Sequence, residues 1–218
     1  EGDFQNGIIQ GEGSLQAADG SRYDGGFVMG MFQGEGVYQS REMTYKGHFE
    51  NNLFQGYGEQ ALTNGDKYTG QFNEGYYHSD GEYITSSKER YQGEVVRGKF
   101  TGQGVLEYES GYVFKGTFKE WVYSGKGELT YPNGDQYSGD FTEGTLNGNG
   151  EFIGADGSFY KGDFDYGSYH GEGVYRGKDG SSYKGHFEDG SYHGDGSLTS
   201  ANGDSYTGQF EYGRYHGK

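Results

Sequence analysis

Cysteine is absent from the 218 residues, which excludes disulfides and cysteine-ligated zinc. An intracellular, reducing compartment fits that absence. Proline occurs once. No apolar run approaches the roughly 18 residues that a membrane-spanning helix needs, and no signal-like segment stands out. The chain is therefore not expected to be transmembrane. Branched aliphatic residues are few, so the buried material has to come from elsewhere. The motifs of common catalytic loops are missing as well: there is no Gly-x-Ser-x-Gly elbow, phosphate loop or Gly-x-Gly-x-x-Gly fingerprint. Carboxylates are plentiful but recur along the chain without converging. No enzyme, catalytic residue, cofactor, metal site or nucleic-acid partner is expected.

What is present is glycine and aromatic rings: 46 Gly, 23 Tyr and 15 Phe. A net charge of -16 and a mean hydropathy of -0.99 would ordinarily suggest disorder. The aromatics, however, keep phase with the glycines, which low-complexity tracts do not do. The frame Tyr-x-Gly-x-Phe begins at Tyr23, Tyr45, Tyr68, Tyr91, Phe114, Tyr137, Tyr160, Tyr183 and Tyr206, at intervals of 23 residues except for one of 22. A period of this size signals a repeat array whose units bury their apolar faces against their neighbours. Each buried ring of this size is worth roughly 1.5–3 kcal/mol. Residues 1–218 read as one continuous array of about nine repeats, partial at each end, and as a fragment of a longer array, since Glu1 falls in mid-repeat.

With the first Tyr as offset 0, glycines recur at offsets 11 and 13, as in Gly148 and Gly150, and an apolar or aromatic residue follows at offset 15, as in Phe152. Offsets 19 and 20 carry hairpin-turn dipeptides such as Asn133-Gly134 and Asp156-Gly157. Strand side chains alternate, so offsets 0, 2 and 4 share a face and offsets 11, 13 and 15 share a face. A two-residue loop would put the two sets on opposite faces, and a three-residue loop at offsets 18–20 puts them together. Pro132, at the first central turn position with Gly134 at the left-handed position, supports the three-residue loop. Offset 15 then faces the next Tyr, and glycines at 13 and 11 face the next frame Gly and Phe, leaving a bare floor for the rings. Offset 9 adds another ring, as in Phe32, Tyr169 and Tyr192, while offsets 1, 3, 12 and 14 form a polar face. The predicted fold is all-β: a single-layer, twisted antiparallel sheet of stacked β-hairpins forming a rod about 85–90 Å long at the usual strand spacing.

The Tyr-x-Gly-x-Phe frame, the later Gly-x-Gly and the Asp/Asn-Gly turn resemble the MORN repeat over essentially the whole chain. The resemblance implies a rod of stacked hairpins. With no other domain visible, it is closest to the MORN-only cytoskeletal proteins of protists, which implies an antiparallel homodimer through the C-terminal repeats, cytoskeletal partners, phosphoinositide binding in some members, and a cytoplasmic, membrane-associated location. The frame is broken by Val95 for Phe, Ser79 for Gly and Trp121 at offset 7. Repeat 23–44 is a residue short, and repeat 68–90 has Ser87-Lys88 in place of the turn. These departures bend the array, bind something or are drift.

Three functional readings follow. The first is a non-enzymatic homodimeric scaffold of a membrane-associated cytoskeleton. Terminal repeats leave rings and a strand edge uncovered, and Tyr183, Phe187, Tyr192, Tyr206, Phe210 and Tyr215 are the expected dimer contact or, alternatively, plain core. The second is a phospholipid-binding tether. The net charge repels anionic bilayers, so a site has to be local, and Lys88, Arg90, Arg97 and Lys99 form the densest basic group. Lys46, Lys115, Lys161 and Lys184, one per repeat at offset 1, are a second scatter, and both sets also read as solvated surface charge. The third is a rod gripping one protein, such as a motor or ciliary component. His78, His170, His193 and His216 share offset 10; at about 9.6 Å between repeats they read as packing residues that do not readily share one zinc ion.

Overall fold

The computed structural model describes residues 1–217. Among them there are strands and turns and no helix. The chain forms two compact units, Glu1–Glu109 and Ser110–Lys218. The first holds β1 (Gly2–Gln5), β2 (Ile8–Gln16), β3 (Arg22–Val28), β4 (Met31–Gln39), β5 (Met43–Glu50), β6 (Leu53–Leu62), β7 (Lys67–Asn73), β8 (Tyr76–Ile84), β9 (Arg90–Val96) and β10 (Lys99–Glu107). The second holds β11 (Val113–Lys119), β12 (Val122–Thr130), β13 (Gln136–Thr142), β14 (Thr145–Ile153), β15 (Phe159–Asp165), β16 (Ser168–Arg176), β17 (Ser182–Glu188), β18 (Ser191–Thr199), β19 (Ser205–Glu211) and β20 (Arg214–His216). Within each unit every strand pairs antiparallel with the next, so the stacked-hairpin sheet inferred from the repeat is what forms.

The repeat beginning at Tyr137 shows how the sequence dictates the connections. Between β14 and β15 the chain turns on Ala155, Asp156 and Gly157. Gly154 N–H donates to Ser158 O at 2.9 Å, and Gly157 N–H donates to Gly154 O at 2.9 Å. This is the three-residue loop expected from side-chain parity, and Tyr131-Pro132-Asn133-Gly134-Asp135 closes identically. Between β13 and β14 the turn is tighter. Thr142 pairs Thr145, and Glu143 and Gly144 alone make the bend, with φ of 48° and 80°. Both central residues are left-handed, the geometry whose twist suits adjacent antiparallel strands. The sequence analysis did not identify this second turn. Its N–H also ties repeats together: Gly167 donates to Leu146 O, Gly190 to Tyr169 O and Gly213 to Tyr192 O, each at 2.9 Å.

The two glycines of each Gly-x-Gly have different tasks. That at offset 13 pairs with frame glycines on both sides, giving the row Gly139–Gly150–Gly162–Gly173–Gly185–Gly196–Gly208 across the second unit. Over this row lies the frame Tyr. Tyr160 is fully buried, and a Cβ on Gly173 would stand 2.6 Å from its ring. The Tyr160 hydroxyl donates to Asp163 O at 2.8 Å, with His170 O a second acceptor at 3.2 Å. Offset 11 instead marks a bulge in the strand, where the register shifts and φ is positive. Ser79 takes that conformation without being glycine, at φ 54°, and Lys88 does so in the three-residue loop at φ 65°. The irregular repeat 68–90 therefore keeps the shared backbone at two strained positions. In repeat 23–44 the loop between β4 and β5 drops to Arg41 and Glu42, so the missing residue comes out of the turn and Tyr38 still faces Tyr45.

The bulge also brings offset 9 onto the ring face. Tyr160 and Tyr169 stack at 3.8 Å, Tyr183 and Tyr192 at 3.9 Å, Tyr23 and Phe32 at 3.8 Å. A frame Tyr in a regular repeat then receives two Phe edges, one from its own repeat and one from the next. For Tyr160 these are Phe164 at 5.1 Å and Phe187 at 5.0 Å, both near perpendicular. Edge-to-face and offset pairs of this kind contribute about 0.5–1.5 kcal/mol each beyond area burial. In each unit the core is this ladder of rings on one face of the sheet.

Candidate interaction surface

The second unit carries two adjoining recesses on its ring face. One, of about 360 Å³, is lined by Tyr169, Tyr175, Phe187, Gly190, Ser191 and Tyr192. The other, of about 310 Å³, is lined by Tyr131, Phe152, Phe164, Gly167, Ser168 and Tyr169. Tyr169 and Gly190 belong to both. The linings correspond across one 23-residue step: Phe152 becomes Tyr175, Phe164 becomes Phe187, Gly167 becomes Gly190 and Ser168 becomes Ser191. The recess is therefore a product of the repeat, spaced at about 9.6 Å by strand geometry. The offset 9 ring walls it, the Phe edge backs it, and the glycine of the two-residue turn and the serine after it leave it open.

Its chemistry is apolar with hydroxyl tips. Burial chiefly, then neighbouring Tyr175 and the Asp135 carboxylate, push the Tyr169 hydroxyl up to about 12. Burial chiefly, then Tyr175, Tyr183 and the Asp179 carboxylate, do the same to Tyr192. Both stay protonated at neutral pH and offer a donor beside an acidic rim. Such large, half-buried tyrosines are typical anchors for protein partners.

The residues singled out from sequence fall as follows. Tyr183, Phe187 and Phe210 lie in the chain's own core. Tyr192 and Tyr206 are half-buried, and Tyr215 is 60 % exposed, so these three keep surface for a partner. Of the six, Phe187 and Tyr192 line a recess. The basic quartet does not converge. Lys88 and Arg90 stand at the three-residue-loop end of β9, and Arg97 and Lys99 at its two-residue-turn end. Seven residues of strand, about 20 Å or more, separate them. Lys88 pairs with Glu109 at 3.0 Å, and Arg90 with Glu82 at 2.5 Å and Glu107 at 3.6 Å. Of the offset 1 lysines, Lys161 pairs with Glu151 at 3.4 Å. The recesses were not identified from sequence. Their signal was the alternation of a ring at offset 9 with a small residue at offset 8, as in Ser168-Tyr169 and Ser191-Tyr192.

Comparison with known proteins gives one family. The MORN repeat matches residues 1–22, 23–41, 45–67, 91–111, 114–136, 137–159, 160–182, 183–205 and 206–218. The irregular stretch 68–90 is not among the matched ones. No curated protein matches. Among solved structures, the chain is similar to the SAS-4 (dCPAP) TCP domain of Drosophila melanogaster in complex with a proline-rich motif of Ana2 (dSTIL). That match has 13% identity, covers 91% of this chain and 90% of that chain, and has a TM-score of 0.41. It is also similar to the G-box domain of the microcephaly protein CPAP, at 11% identity, 92% and 99% coverage and a TM-score of 0.49. A third is the TCP10 domain of Danio rerio CPAP, at 11% identity, 90% and 93% coverage and a TM-score of 0.36. Likenesses of this size carry no conclusion about this chain.

Proposed function

The chain belongs to the MORN-repeat family, and from that premise we propose that it is a protein-binding scaffold whose ring-lined recesses in the second unit receive a partner, a second copy of the chain foremost. MORN repeats are generally non-catalytic and serve protein or membrane interaction, and this role needs no catalytic machinery. The observation that carries the reading is the pair of adjoining recesses walled by Tyr169 and Tyr192, because large rings with buried bodies and polar tips are where protein interfaces concentrate their energy. The dimer contact would use Tyr192, Tyr206 and Tyr215, whose surface is not consumed by the core. In the cell we place the scaffold in the cytoplasm, at a membrane-linked cytoskeleton, on the strength of the family resemblance. Phosphoinositide binding is less supported, since Lys88 and Arg90 stand apart from Arg97 and Lys99 and are already ion-paired.

Light scattering on the purified chain tests the proposal. A mass near twice 24.1 kDa is expected. Ser191→Arg, which fills a recess without removing a core ring, should return the mass to that of one chain. A wild-type chain that stays single at every concentration overturns the self-association.

A further inference from the structure

The polar face of the second unit holds a feature unrelated to the recesses. Repeat 183–205 is the one repeat with histidine at both offset 3 and offset 10, His186 and His193. The register of β17 and β18 sets them directly opposite each other. Their rings lie 6.5 Å apart between centroids, and His170 of β16 lies 6.3 Å from His186 on the other side. Each imidazole of the pair has a carboxylate at Nδ1: Glu188 Oε2 is 3.1 Å from His193, and Glu172 Oε1 is 3.7 Å from His186. Elsewhere the offset 3 histidine has no histidine opposite it. His48 faces Glu35 at 3.5 Å in the same way, but Gln55 occupies offset 10 of its repeat.

We propose that His186 and His193 form a surface binding site for a divalent transition-metal ion of the zinc class. Once a histidine ring turns into line, a carboxylate beside Nδ1 accepts that nitrogen's proton in a hydrogen bond and leaves the Nε2 lone pair for a metal, as partners of metal-bound histidines usually do. Zinc–nitrogen bonds of about 2.0–2.1 Å at a tetrahedral angle place two ring centroids roughly 5.2 Å apart. The rings of the pair must therefore close by a little over 1 Å. Their side chains are 41% and 30% exposed, so rotation about the side-chain bonds is open to them. His193 Nδ1 is buried and makes no hydrogen bond as it stands, so the same rotation has to bring it into line with the Glu188 carboxylate. Among the described residues no three ligand side chains already converge on one ion. The site is bidentate, water completes the tetrahedron, and His170, whose Nδ1 is likewise buried and unbonded, stands one strand away. The net charge of -16 raises the local concentration of any divalent cation. A bound ion clips β17 to β18 and stabilises the hairpin by mass action.

The test is a titration of the chelator-stripped chain with Zn²⁺ alone, followed by calorimetry and by the imidazole proton resonances. One ion per chain is expected, with the resonances of His186 and His193 moving while those of His48 and His78 stay. Glu188→Gln should weaken binding about tenfold or more, and H186Q/H193Q should abolish it. Absence of binding overturns the proposal. So does equal movement of all the histidine resonances, a result read in the intact wild-type chain and independent of how any variant folds. Retained affinity in H186Q/H193Q overturns it too.

Discussion

Adding one methyl group at Gly173 should damage the fold through a single contact. The backbone there is not left-handed, so alanine is conformationally acceptable. Its Cβ, however, would stand 2.6 Å from Tyr160 Cε2, 2.6 Å from Oη and 2.8 Å from Cζ. The ring has no room to retreat: Tyr169 stacks on it at 3.8 Å and the edges of Phe164 and Phe187 close it at 5.1 and 5.0 Å. Overpacking of this kind costs typically 1–3 kcal/mol, and with three ring neighbours to displace we take about 2 kcal/mol. That corresponds to a fall in Tm of roughly 4–8 °C for a chain of this size. The decisive assay is a double-mutant cycle by thermal melting with Tyr160→Ala. With the ring gone, the three nearest contacts of the alanine Cβ go with it, and most of its cost should vanish. Gly167→Ala is the counterpart. Nothing lies within 4 Å of its Cβ, but φ is 83°, so it should cost about 1 kcal/mol whether or not Tyr160 is present. A Gly173→Ala chain that melts with wild type, or whose loss persists unchanged in the Tyr160→Ala background, refutes the ring-on-glycine account.

Tyr160→Phe should cost about 1 kcal/mol by chemical denaturation, the net worth of the bond to Asp163 O, and leave circular dichroism unaltered, because Phe114 occupies the equivalent place natively. Ser79→Gly should raise stability by about 0.5–1 kcal/mol in the same assay, since it relieves a left-handed serine. Burial holds Tyr137, Tyr169 and Tyr192 up to about 12 in the folded chain. The unfolded chain releases those protons near the ordinary tyrosine value of about 10, so stability is intact below that pH and is lost as pH rises toward 12. The part of the absorbance change that comes from the buried tyrosines should therefore coincide with the loss of the circular-dichroism signal. Self-association of chains carrying a net charge of -16 should strengthen with added salt, which screens their repulsion, and sedimentation at rising ionic strength checks the sign.

Much of the hairpin could be read in the sequence because strand parity is an arithmetic constraint. Pro132 and the recurring Asn/Asp-Gly at offsets 19 and 20 fixed a three-residue loop, and the facing of Phe152 on Tyr160 and Gly150 on Gly162 followed. The tight turn was hidden because its first residue varies, as in Met29, Glu74, Arg97, Glu143 and Tyr166, so the turn signals Asn6-Gly7 and Asp189-Gly190 recur too seldom to set a pattern. The bulge was hidden because glycine announces permissiveness without saying which use is made of it. Gly171 needs a left-handed backbone and Gly173 needs to lack a side chain, yet both are written with the same letter. The basic quartet is spread out because residues close in sequence sit at opposite ends of an extended strand. The paired histidines were missed for the converse reason: offsets 3 and 10 meet only through a register that the bulge resets.

The sharing of Phe edges has a consequence for how such a chain can change its length. Tyr137 is met by Phe164, Tyr160 by Phe187 and Tyr183 by Phe210, so each of these repeats is finished by its successor. Excising residues 160–182 would carry Phe187 to the place that Phe164 vacates, and the seam would close on a contact of the same kind. Insertions and deletions should thus be tolerated in whole periods, whereas a cut of almost any other size strands a ring without its edge. Recombination between repeats, more than drift within one, is the change this architecture absorbs most easily.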